Sequence, residues 1–285
     1  RMKMRLGISS HTFPWAVGVE SNLPGQPMTA HDLLHYASLR AIQAVQICEN
    51  LPLHALTALE IQRILALSEK LDVAVEVGTR LLRPKNVLRY LELSAIFRSP
   101  FLRIIIDDAD FHPSEEEVIS IIRELLPKIR QYGVILGLEN HDRFPARSLE
   151  RIIQATDREW VGICLDTSNS LGAGEGIGEI VDVLLPYTVN LHVKDFQVKR
   201  VPHKMGFQVS GCALGSGMLD LPYLLQLFKG HPQCKTITLE VWSDPIYQNN
   251  PETLGSEVDL AATLAQESAW VEKSIHYLQN CYHKL

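Results

Sequence analysis

Four apolar segments in the second half of the chain each carry, at or near the end, one side chain that can bind a metal ion. The segments are VILGLEN from residue 134, VGICLDT from residue 161, VNLHVKD from residue 189 and TITLEVW from residue 236. Their candidate ligands are Glu139, Asp166, His192 and Glu240. Apolar runs of this length are typical of strands buried on both faces. Because the carboxyl ends of the strands of a parallel barrel meet on one face, the pattern predicts one oxygen-rich metal site there.

Strand-like segments alternate with helix-like segments along the whole chain. Strands are predicted at 5–9, 45–49, 73–78, 101–107, 134–139, 161–166, 189–194 and 236–241. Helices are predicted to open at Thr29 and near Pro84, and to cover about 56–71, 114–131, 148–156, 179–184, 221–228 and 257–278. A long loop is predicted from Asp195 to about Met218. Eight strands, each followed by a helix, predict an α/β fold, a (β/α)8 TIM barrel forming a single domain over residues 1–285. A doubly wound open sheet is the alternative.

The composition of the chain limits the kinds of molecule that it is expected to bind. The chain of 285 residues has a net charge of −6, which argues against nucleic-acid binding, since that usually needs a basic face. No apolar run approaches the ~18–20 residues of a membrane span, and the N-terminus lacks a signal-peptide core. The five cysteines are odd in number and form no CxxC pair, which favours a reducing cytoplasm over a disulfide framework. We therefore expect a cytoplasmic protein with a small-molecule substrate; a homo-oligomer is compatible with the sequence.

Three carboxylates gathered at one face repel one another and raise each other's pKa values, and a divalent ion removes that conflict. His192 would add a neutral nitrogen ligand. Three oxygens and one nitrogen suit Mn²⁺ best, with Mg²⁺, Co²⁺ and Zn²⁺ as alternatives. Taken singly, each carboxylate has a structural alternative as a helix cap or a salt-bridge partner, and His192 has one as a core histidine bonded to a backbone carbonyl.

The same segments resemble a known family. The sequences LENHDRF, CLDTSNS, LHVKDF and LEVW, together with Gly215-x-Gly217-x-x-Asp220, are similar to those of the xylose-isomerase-like TIM barrels, the sugar isomerase/epimerase family that also includes endonuclease IV. The resemblance covers nearly the whole chain. It implies that the four candidate ligands bind one divalent metal, and that Glu139 and Glu240 act as an acid/base pair on opposite faces of the substrate. Ketose epimerases of the family often carry a His three residues after the Asp, where this chain has Asn169.

Further polar residues near the predicted strand ends are candidates for contact with substrate. They are His11, Glu76, Arg80, His141, Arg143, Asn169, Lys194, Asp195 and Arg200. Arg143 offers a planar fork that suits a carboxylate, although a pair with Asp142 that stabilises the loop is an equal alternative. Arg200 and His203 lie in the long loop after the seventh strand, which is expected to form a lid; their alternative is solvated surface.

The leading hypothesis is a metal-dependent isomerase or epimerase of a ketose or keto sugar acid, working through a metal-bound enediolate with two Glu as bases. A decarboxylase of a 3-oxo sugar acid would use the same intermediate, with Arg143, Lys194 and Arg200 holding the carboxylate. An endonuclease IV-like hydrolase is a weaker alternative because only His192, among the histidines, lies within a strand and the chain is acidic. The fourth hypothesis is a barrel that binds a sugar without catalysing a reaction. The choice of sugar, its phosphorylation and the native metal stay open.

Overall fold

Eight parallel strands close into a barrel, and helices cover its outside. The computed structural model describes residues 4–202, 205–249 and 257–285, so His203 of the expected lid lies outside the described residues. Around the barrel each strand pairs with the barrel strands before and after it in the chain, and the last pairs with the first. Every neighbouring pair is parallel. The predicted (β/α)8 barrel is confirmed.

The barrel strands agree with the predicted ones to within about two residues at nearly every end. They are β1 (Arg5–Ser9), β2 (Ala44–Ile47), β3 (Ala74–Arg80), β4 (Phe101–Ile105), β5 (Ile135–Glu139), β6 (Val161–Asp166), β7 (Thr188–Val193) and β10 (Thr236–Leu239). All but the ends of these strands are buried, as expected where helices cover one face and the barrel interior fills the other.

Several helices begin where a side chain satisfies free backbone N–H groups. Thr29, Thr57 and Ser114 each form a reciprocal capping box with the acidic residue three positions later, which satisfies backbone donors at the helix start. The helices are α1 (Pro14–Val17), α2 (Ala30–Ser38), α3 (Ala58–Leu71), α4 (Pro84–Ile96), α5 (Glu115–Tyr132), α6 (Ala146–Ala155), α7 (Ile177–Leu184), α8 (Leu221–Phe228) and α9 (Leu260–Tyr282). Among the described residues, none of these helices has the length and apolar character needed to cross a bilayer.

The segment predicted as a long loop after the seventh strand contains an antiparallel hairpin instead. Its strands are β8 (Phe196–Arg200) and β9 (Phe207–Gly211), paired from Phe196 with Gly211 to Arg200 with Phe207. Most of its side chains are exposed, so the strong apolar signal of the barrel strands is missing. Gly211 is required at the base, because a Cβ there would lie 1.7 Å from the carbonyl oxygen of Trp242.

The interior of the barrel contains buried polar and charged side chains. A buried Arg103 side chain from β4 occupies the space that Gly78 leaves open, since a Cβ at Gly78 would lie 3.2 Å from Cδ of Arg103. Deeper in the barrel, Gln46 donates hydrogen bonds to Glu76 (3.3 Å) and Asn190 (3.0 Å). These groups separate the carboxyl-terminal face from the amino-terminal end of the barrel.

Candidate metal and substrate site

The imidazole of His192 lies at the centre of three carboxylates. Its Nδ1 is 3.4 Å from Oε1 of Glu240, 3.7 Å from Oε2 of Glu139 and 3.9 Å from Oδ2 of Asp166. All four side chains are buried. They come from β5, β6, β7 and the residue after β10, so the structure brings together the four residues that the sequence marked as ligands.

This cluster contains polar atoms that no protein group satisfies. Both ring nitrogens of His192 and Oδ2 of Asp166 are buried and lack a hydrogen-bond partner among the described residues. Buried polar atoms are nearly always paired, so an unpaired set of this kind indicates a missing partner. Ligand atoms of Glu139, Asp166 and His192 all lie within 4.8 Å of one another. Three carboxylates and one imidazole therefore fit a divalent cation.

Backbone and side-chain groups fix the orientation of Asp166. Its Oδ1 accepts hydrogen bonds from the backbone N–H groups of Ser168 (2.8 Å) and Asn169 (2.9 Å). The other oxygen, Oδ2, lies 3.1 Å from Nζ of Lys194. Oδ2 of Asp166 therefore faces both the cluster and the cation of Lys194.

Lys194 supplies a buried positive charge beside the carboxylates. Its Nζ lies 3.4 Å from Oε2 of Glu240 and donates to Oδ1 of Asn169 at 2.9 Å. Burial alone would lower the pKa of Lys194, but the carboxylates of Asp166 and Glu240 outweigh it and raise that pKa. For Glu240, burial would raise the pKa, but the neighbouring imidazole of His192 and the cation of Lys194 outweigh burial and lower that pKa. This favours the ionised form of Glu240.

Arg103 and Glu49 are site residues that sequence reasoning missed. The Arg103 guanidinium donates through Nε to Oε2 of Glu139, and through Nη1 to Oε2 of Glu49 at 2.5 Å. The opposing charges of Glu139 and Glu49 outweigh the effect of burial and raise the pKa of Arg103. A charged residue inside the apolar run FLRIII was the available signal, because Arg is almost never fully buried unless it is paired.

His11 completes a chain of contacts on the same side of the pocket. Its Nε2 lies 3.0 Å from Oε1 of Glu49, while no described residue hydrogen-bonds to Nδ1. Burial would lower the pKa of His11, but the hydrogen bond and charge of Glu49 outweigh it and raise that pKa. Glu49 thus holds both His11 and Arg103 in place.

These groups line an open pocket of about 330 Å³ at the carboxyl-terminal face. Of the predicted substrate-binding residues, the pocket wall includes His11, Arg80, His141, Asn169 and Lys194. Asn169 also donates a 2.8 Å hydrogen bond to Oε1 of Glu139. The pocket therefore brings Glu139 and Glu240 of the cluster together with cationic and amide donors.

Four predicted substrate-binding residues lie elsewhere. Glu76 is buried deeper in the barrel, where it accepts hydrogen bonds from Gln46 and Thr236, because its strand position points it into the interior below the site. Arg143 forms a two-bond ion pair with Asp107, at 2.8 and 2.6 Å. These two placements correct the expected contact with substrate.

The other two support the loop after the seventh strand. Asp195 accepts backbone N–H groups of Gly215 (2.9 Å), Gly217 (3.0 Å) and Leu219 (3.0 Å). Arg200 lies on the exposed hairpin with its guanidinium 4.5 Å from the ring centre of Phe207. Asp195 therefore organises the glycine-containing segment, and neither residue lines the pocket.

Comparison with known proteins identifies related chains. A family model described as xylose isomerase-like TIM barrel matches residues 58–274. The 3-oxo-isoapionate decarboxylase of Pectobacterium atrosepticum is 29% identical over 275 residues, covering 96% of this chain and 95% of that protein.

Solved structures share the fold. A xylose isomerase-like TIM barrel protein from Mycobacterium smegmatis in complex with magnesium has a TM-score of 0.67 at 14% identity, covering 96% of this chain and 98% of that one. D-psicose 3-epimerase from Clostridium cellulolyticum H10 with D-tagatose has a TM-score of 0.69 at 14% identity, covering 96% and 99%.

Proposed function

The chain belongs to the xylose isomerase-like TIM barrel family, and from this premise we propose that it is a divalent-metal-dependent decarboxylase of a 3-oxo sugar acid. The relative from Pectobacterium atrosepticum, whose name describes a decarboxylase of a 3-oxo acid, supports this reaction over nearly the full length of both chains. The epimerases supply a likeness of fold alone. The sequence had kept decarboxylation as an alternative to isomerisation or epimerisation.

The observation that carries the proposal is the unequal state of the two glutamates. Both carboxylate oxygens of Glu139 are engaged, Oε1 by Asn169 and Oε2 by Arg103. Glu240 has only longer contacts, each at 3.4 Å, from Oε1 to Ser9 Oγ and to Nδ1 of His192 and from Oε2 to Lys194 Nζ. Epimerisation needs two groups that exchange protons on opposite faces, whereas decarboxylation needs one proton delivered after carbon dioxide leaves. Because Asn169 and Arg103 hold Glu139, the site lacks a second free carboxylate base, which disfavours epimerisation; the single proton that decarboxylation needs can come from another group.

The charges around the pocket also suit an anionic substrate. Three carboxylates line it and a fourth, Asp166, lies beside them in the cluster; a divalent ion together with two buried cations would balance all four. The carboxylates are Glu49, Glu139, Asp166 and Glu240, and the cations are Arg103 and Lys194. A protonated His11 then leaves one positive charge for the substrate's own carboxylate. A neutral ketose would leave that charge unbalanced.

Bond changes in a 3-oxo acid assign tasks to these residues. The bond between the carboxyl carbon and its neighbour breaks, and its electron pair forms a double bond to the ketone carbon while the ketone oxygen gains negative charge. A divalent ion, when bound, acts as a Lewis acid toward such an oxygen; Glu139, Asp166, His192 and Glu240 would hold it, with Mn²⁺ favoured by the donor set. The cation of Lys194 stabilises negative charge beside the cluster.

His11 then delivers a proton to the carbon that lost carbon dioxide. Glu49 holds Nε2 and leaves Nδ1 directed away from that hydrogen bond, and the same carboxylate raises the pKa of His11, which favours its proton-donor form. A positioned proton donor typically contributes ~10²–10⁴-fold in rate. After proton transfer, the carbon–oxygen double bond reforms and a ketose is the product.

Epimerisation of a ketose or keto sugar acid is the second candidate function. In the barrel, β5 and β10 are separated by β6 and β7, so Glu139 and Glu240 approach the pocket from different sides. That arrangement favours two bases on opposite faces of a substrate. It requires Glu139 to leave Asn169 or Arg103 in order to exchange a proton.

A product analysis tests the proposal. Protein treated with a chelator and reloaded with Mn²⁺ is offered a series of 3-oxo sugar acids, and carbon dioxide release is followed against the uncatalysed rate. We expect release in equal amount to a neutral ketose. Products that keep the mass of the substrate would overturn the decarboxylase and favour the epimerase.

We also propose a reducing, cytoplasmic setting, since each of the five cysteines is a free thiol.

A further inference from the structure

The Arg103 guanidinium has hydrogen-bond donors that the protein does not use. Arginine carries five N–H donors. Nε donates to Glu139, and Nη1 donates to Glu49 at 2.5 Å and to the carbonyl oxygen of Thr79 at 3.3 Å. Nη2 makes no hydrogen bond to any described residue. It is also absent from the buried polar atoms that lack a partner, so Nη2 is accessible from the pocket that Arg103 lines.

The guanidinium of Arg103 is held in one orientation. The Arg103 side chain is only 2% exposed, and a buried charge normally has its donors satisfied. Glu49 and Glu139 hold the plane of the guanidinium from two sides, while Gly78 leaves the space for its stem. The two protons of Nη2 are therefore fixed in direction before any ligand arrives, which lowers the entropy lost on binding.

We propose that Nη2 of Arg103 binds the substrate's carboxylate and so selects acids over neutral sugars. Hydrogen bonds from a guanidinium to a carboxylate are charge-assisted and stronger than those to a hydroxyl group. The other arginine of the pocket wall is less suited, because Nε of Arg80 donates to the carbonyl oxygen of Asp107 and lies 3.3 Å from Asp108 at the exposed rim. This assignment rests on the proposed function and replaces Arg143 and Arg200, which the structure places outside the pocket.

A binding experiment isolates the role of Arg103. The probes are aldonates of four to six carbons and their matched alditols, which differ only by a carboxylate or a hydroxymethyl group at one end. Binding is measured calorimetrically with Mn²⁺ present and again after chelator treatment, because an aldonate can also coordinate a metal. The variant Arg103→Lys keeps the charge that Glu49 and Glu139 require but loses the planar fork. Arg151→Lys, in a surface pair with Glu115, is the matched control.

Wild-type protein is expected to prefer the aldonate to its alditol, and Arg103→Lys is expected to lose roughly 10- to 100-fold in aldonate affinity, the range for a hydrogen bond to a charged group. Alditol affinity and the control variant should change less than about twofold, since neither depends on the lost charge-assisted bonds. Equal losses for aldonate and alditol, or no preference for aldonates in the wild type, would overturn the assignment. If the preference depends on Arg103 while no 3-oxo acid releases carbon dioxide, the decarboxylase fails and the carboxylate site stands.

Discussion

Nδ1 of His192 lies 3.4 Å from Oε1 of Glu240, and neither ring nitrogen of this buried histidine has a hydrogen-bond partner among the described residues. A core histidine bonded to a backbone carbonyl, the alternative that the sequence left open, would have satisfied at least one nitrogen. The contact instead leaves a nitrogen and several carboxylate oxygens facing one point.

Asp166→Asn should weaken Mn²⁺ binding without unfolding the barrel. The amide oxygen can still accept from Ser168 and Asn169, but the second position no longer offers a charged oxygen. We expect at least ~100-fold weaker binding, since even partners outside the ligand set are typically worth 10–100-fold. Calorimetric titration of Mn²⁺ measures the loss. Asp182→Asn, an exposed change on α7, is the control, and full metal occupancy in Asp166→Asn would exclude the ligand role.

The two glutamates should respond differently to amide substitution. Glutamine still offers an oxygen to a cation but cannot accept a proton. If one proton is delivered by His11, at least one of Glu139→Gln and Glu240→Gln should retain substantial decarboxylation with saturating Mn²⁺. Under the two-base mechanism, both should lose ~10²–10⁴-fold in turnover. Turnover and deuterium uptake from solvent, measured in both variants, separate the two mechanisms; near-normal epimerisation in either variant would refute two bases.

Activity should fall as the pH rises through the raised pKa of His11. A histidine with a raised pKa keeps its proton above its ordinary value of ~6.5, so the donor form persists there and is lost at higher pH. Glu49→Gln removes the charge that raises this pKa, so the fall should begin at lower pH. The variant His11→Asn should turn over slowly, and its pH profile should lack the fall in activity at high pH. Profiles of kcat against pH measure the shift, and identical limbs in all three proteins would remove His11 from proton transfer.

Glu76→Gln should change the pH dependence of stability. Burial raises the pKa of Glu76 from 4.5 to about 7, against the lowering effect of its hydrogen bonds from Thr236 and Gln46. The folded state therefore keeps a proton that the unfolded state releases, and the free energy of unfolding decreases as the pH rises from about 4.5 to 7. The loss is on the order of 3 kcal/mol.

Urea unfolding at several pH values checks this slope. The Gln variant has no proton to lose, so its dependence across that window should be flatter than that of the wild type. Glu116→Gln, on the exposed face of α5, should leave the slope unchanged. Equal slopes in wild type and Glu76→Gln would show that Glu76 does not hold the proton.

The barrel was predictable because its strands are long apolar runs that end in polar residues, and because capping boxes such as Thr29 with Asp32 mark helix starts. The four candidate ligands followed from the same ends. The hairpin was missed because β8 and β9 expose most of their side chains and so lack a buried face. Glu76 was expected to contact substrate but lies deeper in the barrel, since spacing along a strand gives the face of a side chain but not its depth in the barrel.

Arg103 and Glu49 could not be paired from the sequence alone. Their contact joins β4 to the residues just after β2 across the barrel interior, and it depends on space left by Gly78. A buried arginine signals a partner without saying which carboxylate it will meet. Glu49 and Glu139 reach the same guanidinium because β2, β3, β4 and β5 lie side by side in the barrel.

Loss of carbon dioxide from a 3-oxo acid is the reaction that we propose for this site. The most direct measurement uses a substrate labelled with ¹³C in its carboxyl group, incubated with Mn²⁺-loaded protein in deuterated water. We expect one labelled carbon dioxide per ketose formed, at a rate above that of the spontaneous reaction. The ketose should carry a single deuterium on the carbon that lost carbon dioxide, and a chelator should abolish the acceleration. Label retained in the acid while deuterium enters beside the ketone would contradict the decarboxylase and identify an epimerase.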